Sequence, residues 1–111
     1  MNVTTKELRR CDLVTAEGRI DSSTAEALAQ TLASITEAGR YKIVLNMKNV
    51  TFVSSAGFGE LIAAQKTCHH LMRGDLVLAE IPEQTREAMN LAGLIPLFKI
   101  FDSEAEAVGS F

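Results

Sequence analysis

The chain has only two cysteines, Cys11 and Cys68, and they fall into no CxxC or Cys/His spacing. That removes the usual grounds for a zinc site or a disulfide framework, and both read as buried thiols. No apolar run approaches the ~18 residues that span a bilayer. The opening Met1-Asn2-Val3-Thr4-Thr5-Lys6 lacks the charged-then-apolar pattern of a secretory leader. A cytoplasmic protein with no membrane partner is the expectation. Basic residues are also short: Lys+Arg number 11 against 14 Asp+Glu, a net charge of -3, and no Lys/Arg cluster stands out. Direct nucleic-acid binding is therefore not expected. What the chain does have is 111 residues that are 47% hydrophobic and 23% charged, enough for a single core. One domain over residues 1–111 follows.

Residues 3–8 and Cys11 to Ala16 read as two short strands paired across Arg9-Arg10, with Gly18 breaking the second. Asp21-Ser22-Ser23-Thr24 then offers several N-cap oxygens, with Glu26 spaced as a capping-box partner of Ser23. Ala25, Leu28, Leu32 and Ile35 recur on one face of the helix that follows, which stops at Gly39. Tyr41 to Met47 is rich in β-formers and reads as a central strand. A second helix is predicted from near Ser55 to near Gly74, with Leu61, Ala64, Cys68 and Leu71 on one face.

Asp75 to Glu80 gives another strand, and Pro82 opens a third helix over about residues 83–92, closed by Gly93. Leu97 to Phe101 reads as a last strand, and Asp102 or Ser103 caps a closing helix through Val108. Strands separated by helices of this length require parallel pairing with helices packed on the sheet. His69 and His70 are placed on an outer helix face, and Met47, Met72 and Met89 in the packing.

The segment Thr51-Phe52-Val53-Ser54-Ser55-Ala56-Gly57-Phe58-Gly59 carries the most chemistry. A β-rich run passes there through two serines into a helix. One serine suffices as a cap; the second is followed by Ala56 and Gly57, which leave the backbone uncovered for another molecule. A phosphate on a hydroxyl at this junction would meet outward backbone N–H groups and a favourable helix dipole. Nucleophilic catalysis does not fit. Gly-x-Ser-x-Gly is absent, and His69 and His70 lie roughly 20 Å along the same helix at ~1.5 Å per residue. Gly57-Phe58-Gly59 lacks the lysine of a P-loop and the third glycine of a dinucleotide fingerprint. No enzyme activity, catalytic residue, cofactor or metal is expected. Phe58 reads equally as a core aromatic and as an apolar contact for a partner, and Asp21 as a helix cap that also frames the interface.

The run from Lys42-Ile43-Val44-Leu45-Asn46-Met47 through Lys48-Asn49-Val50-Thr51-Phe52 to Val53-Ser54-Ser55-Ala56-Gly57-Phe58 resembles the signature of STAS domains, the anti-sigma factor antagonist family. Gly18-Arg19-Ile20-Asp21 and Leu91-Ala92-Gly93-Leu94, followed by Leu97 to Ser103, are similar to its flanking patterns. The resemblance implies an α/β, single-domain STAS sandwich with a mixed sheet of about five strands and about four helices. It also implies a partner that is an anti-sigma factor and serine kinase, with a serine phosphatase as a further partner. Phosphorylation of Ser55 would switch binding off, and Asp21, Ser54, Ser55, Ala56, Gly57 and Phe58 would meet the partner. Ser54 stands where many members have aspartate, as does Asn46, which the resemblance places at a strand end near the same surface. The alternative role is that of a non-phosphorylated STAS scaffold or ligand-sensing module within a larger signalling or transport complex.

Overall fold

The computed structural model describes residues 1–70 and 73–111. Strand β1 (Asn2–Glu7) turns back into β2 (Asp12–Ile20), and helix α1 (Ala25–Glu37) leads to β3 (Lys42–Val53). Helix α2 (Ser55–His69), β4 (Asp75–Ala79), α3 (Glu83–Leu91), a 3-10 turn (Ile95–Leu97), β5 (Ile100–Phe101) and α4 (Glu104–Gly109) follow among the described residues. The strands form one sheet in the order β1-β2-β3-β4-β5. Only β1–β2 is antiparallel; the other three pairings are parallel. The α/β mixed sheet of five strands with four helices among the described residues agrees with the expected class.

Both sheet faces are covered, unequally. Val14, Ile20, Ile43, Leu45, Leu76 and Leu78 point into the larger cluster with Leu28 and Leu32 of α1 and Leu61 of α2. The helical face read from α1 is buried as expected: Ala25, Leu28, Leu32 and Ile35 are all inside. Each large aliphatic there removes enough apolar area to contribute about 2 kcal/mol. The opposite face carries a smaller cluster, with Cys11, Val44, Val77 and Ala79 under Ala107 of α4. Met47 and Met89 are fully buried, and Leu61 and Cys68 lie on the inner face of α2. Leu71 and Met72 fall outside the described residues; α2 ends at His69, with His70 as its C-cap, rather than near Gly74, which is not helical.

Several boundaries differ from the sequence reading. Gly18 does not end β2: it takes φ +92 within a stretch of register shifts, and the strand continues to Ile20. Such a conformation is open to glycine at little cost, so the ladder bends instead of breaking. The central strand runs on to Val53 rather than stopping at Met47, because Lys48 and Asn49 face solvent while β2 continues to pair alongside. Beyond Asn46 no β4 residue pairs with β3, so the two long strands reach past the rest of the sheet.

The proposed Ser23–Glu26 capping box does not form. Thr24 is the α1 N-cap, and its hydroxyl oxygen accepts from the Asp21 N–H at 2.9 Å. Pro82 stands at the N-cap of α3, one place before its first turn. Leu97 to Lys99 are not strand: Pro96 sits inside the 3-10 turn, which leaves β5 only two residues. Of the two cap candidates for α4, Ser103 is used, accepting from the Glu106 N–H at 3.1 Å.

Burial pushes both thiols up, Cys68 to about 11, with Asp75 adding to the effect, and Cys11 further raised by Asp12. A protonated, enclosed thiol is a poor nucleophile. Cys11 and Cys68 are therefore expected to react with a disulfide reagent at neutral pH only as the protein unfolds. Fast native-state labelling of Cys68, read by mass spectrometry, would contradict that packing.

Candidate functional site

The site is built where α2 begins. Ile20 ends β2 and Val53 ends β3, side by side in register. The Ser54 N–H donates to the Ile20 carbonyl at 2.8 Å, which closes the chain across both strand ends. Ser54, in extended conformation, then caps α2 by accepting from the Gly57 N–H at 3.2 Å. Ser55 is thereby the first helical residue, exposed, with its hydroxyl not needed for the cap.

Gly57 is not an uncovered platform for a partner. It is buried, and a Cβ built on it would stand 2.8 Å from Ile20 Cγ2 and 2.9 Å from Val53 Cγ1. Its missing side chain lets the first turn of α2 press onto the two strand ends. Ala56 is exposed beside Ser55, whereas Phe58 is partly buried and packs against the main core. The surface of this turn is thus Ser55 and Ala56, with Phe58 set behind them.

Asp21 lies on the neighbouring loop, which the Ser54–Ile20 hydrogen bond holds next to the serines. Its Oδ1 accepts from the Ser23 hydroxyl at 2.6 Å and the Ser23 N–H at 3.0 Å. The Ser23 hydrogen bonds, with smaller help from Thr24 and Arg19, hold the carboxyl below its ordinary value of 3.8. Asp21 stays ionised down into acid, so its contribution to the loop is present above the usual carboxylate range and fades only as pH falls through the lowered value.

Two residues that the sequence reading missed extend this face. The Arg19 guanidinium lies 4.5 Å from the Phe52 ring centroid and 3.6 Å from Asp21. Phe52 is 42% exposed, an unusual state for a phenylalanine in a long strand. Strand alternation was the available signal: Val53 points inward, so Phe52 must point out. Asn46, by contrast, is not part of the site. It lies mid-strand under α4, about 25 Å back along β3 at ~3.3 Å per residue. There its amide donates to Glu80 and Glu104, each at 2.9 Å.

The opposite end of the molecule corrects another expectation. Folding does assemble a Lys/Arg cluster: Arg9 and Arg10 from the β1–β2 turn, Lys42 at the start of β3, Lys66 near the end of α2 and Arg73 before β4. No linear stretch of the sequence displays it, because four separate segments supply it.

A mixed sheet covered by helices, carrying a bare serine on the first turn of a central helix, defines a small α/β module that presents a hydroxyl at its surface. The family model for the STAS domain matches residues 2–107, and the chain belongs to that family. A Bordetella bronchiseptica protein named as a candidate anti-sigma factor antagonist, BtrV, is 28% identical over 95 residues, covering 86% of this chain and 81% of the relative. The Bacillus cell fate determinant SpoIIAA shares the fold in its phosphorylated form at TM-score 0.76 and 17% identity, covering 98% of both chains. Its unphosphorylated form gives TM-score 0.82 at 17% identity, over 98% of this chain and 95% of the other. The fold also occurs within a much longer protein, the murine anion transporter Slc26a9, at TM-score 0.77 and 20% identity, covering 95% of this chain and 18% of the transporter.

Ser54→Ala is expected to cost about 1 kcal/mol in urea unfolding through the lost cap. Gly57→Val should cost about 1–3 kcal/mol or more by overpacking. Wild-type stability in Gly57→Val would contradict the tight seating of the turn.

Proposed function

We propose that this chain is an anti-sigma factor antagonist, binding an anti-sigma factor that is also a serine kinase and released from it by phosphorylation of Ser55. The observation that carries the reading is the division of labour at the helix start: Ser54 caps α2 while Ser55 is exposed and uncommitted. The BtrV relative bears the name of such an antagonist, and SpoIIAA has been seen both with and without phosphate. A serine phosphatase would restore the binding form. On this reading the domain acts by association and not by catalysis, in the cytoplasm where sigma factors work.

The mechanism is electrostatic. A phosphate adds roughly -1.5 to -2 charges at neutral pH, and the helix N-terminus accommodates it with its dipole and outward N–H groups. The module therefore stays folded and the partner meets the charge. A surface packed on Ser55, Ala56, Phe58 and the Asp21 loop would have to desolvate a dianion without a counter-charge. That costs several kcal/mol, against about 8 kcal/mol for an entire micromolar complex. Ser54, in place of the acidic residue of many members, keeps the cap and removes one negative charge beside the acceptor, which alters what the kinase recognises.

The likeness to the Slc26a9 domain supports a second reading, a non-phosphorylated scaffold or ligand-sensing module of a larger complex. Phosphopeptide mass spectrometry on the protein from its native cells, with identification of what co-purifies, separates the two. The antagonist reading expects phosphate on Ser55 and a kinase-like protein held only by the unmodified form. An unmodified Ser55 in all conditions, with a large assembly or small ligand bound and Ser55→Ala silent, would favour the scaffold.

A further inference from the structure

The cationic end of the molecule is a groove rather than a scatter of surface charges. Three depressions of about 250, 540 and 430 Å³ adjoin one another: the first two share Tyr41 and Arg73 as walls, and the second and third share Lys66 and His70. Arg73 lies over the Tyr41 ring at 5.4 Å. Arg40 is already engaged by Asp12 at 3.0 Å and Glu7 at 3.6 Å, and His69 by Asp75 at 2.8 Å. Arg9, Arg10, Lys42, Lys66 and Arg73 have no ion-pair partner among the described residues and are all exposed. Toward the third depression the lining turns apolar, with Ile62, Pro96 and a Leu97 that is 45% exposed.

We propose that this groove is a second docking surface, for an acidic polypeptide segment bearing hydrophobic side chains. Charge complementarity and shape both select that occupant. The five free cations stand on a protein whose net charge is -3, so attraction to an anion is local to this end. An elongated groove with an apolar stretch matches an extended or helical segment whose carboxylates meet the rim while its aliphatic side chains enter beside Leu97. Five cations supplied by four separate segments match carboxylates spaced along a peptide better than one compact phosphate. The apolar lining at Ile62, Pro96 and Leu97 suits the aliphatic side chains of a polypeptide and offers no contact to the phosphates of a nucleic-acid duplex. Along α2, which rises ~1.5 Å per residue, Lys66 lies about 16 Å and Ile62 about 10 Å from Ser55, so the cationic part of the groove is clear of the serine face.

The test is nuclear magnetic resonance mapping and fluorescence anisotropy with a labelled peptide of alternating Glu-Glu and Leu-Leu pairs. Duplex DNA and phosphatidylserine vesicles serve as competing probes. Binding is expected to shift amides at Arg9, Lys42, Lys66 and Arg73. It should weaken by at least about tenfold in the Lys66→Glu, Arg73→Glu double variant, and stay unchanged in Arg86→Glu and in Ser55→Asp. The unmodified protein carries the mapping, so the result does not depend on how the variants fold. Absence of peptide binding, shifts elsewhere, equal affinity of the double variant, or stronger capture of DNA or vesicles through the same residues would each overturn the proposal.

Discussion

The close approach of the first turn of α2 to the ends of β2 and β3 is the constraint on which the rest of the site depends. Gly57 permits it, since any larger residue would drive its Cβ into Ile20 and Val53. The Ser54 N–H to Ile20 carbonyl bond fixes the same contact from the backbone side. Once the turn is seated, Ser54 has to cap and Ser55 has to face outward. The Asp21 loop, continuous with Ile20, is drawn to the same face together with Arg19 and Phe52. A phosphate at Ser55 then lands on a rigid platform, where added charge changes recognition with little effect on the fold.

Buried polar contacts hold that platform to the rest of the domain. Gln65 of α2 accepts from the Leu76 N–H at 2.7 Å and donates to the Leu76 and Leu97 carbonyls, each at 3.0 Å. It ties α2 to β4 and to the 3-10 turn at once. Asp12, buried at the start of β2, receives Arg40 Nε at 3.0 and 3.1 Å, pinning the entry to β3. Asn46 bridges Glu80 and Glu104, which links β3 and the end of β4 to α4. These satisfied polar groups fix register in a way that the aliphatic core alone does not.

Elements with a local cause were legible in the sequence. The α1 face follows from its apolar period, the ends of α1 and α3 from Gly39 and Gly93 at positive φ, and the serine junction from a strand pattern meeting N-cap residues. What was hidden depends on residues far apart in the chain. Asp12 with Arg40, and Asn46 with Glu80 and Glu104, reveal nothing until the sheet brings them together. The length of β3 was concealed because Lys48 and Asn49 look like a stop while β2 still pairs beside them. The sequence suggests Gly57 as an opening for a partner, whereas tertiary packing uses it. The cationic groove is hidden in the sequence for the same reason, its basic residues coming from four segments.

The central claim is that Ser55 can carry a dianion without cost to the fold and that the partner alone responds. The most direct measurement installs phosphoserine at position 55 and compares the thermal midpoint and the affinity for the co-purifying partner with those of the unmodified protein. The account predicts an almost unchanged midpoint and a loss of binding by about two orders of magnitude or more, as several kcal/mol of unpaired charge requires. A midpoint that falls sharply, or a phosphorylated protein that binds its partner as well as before, would contradict it.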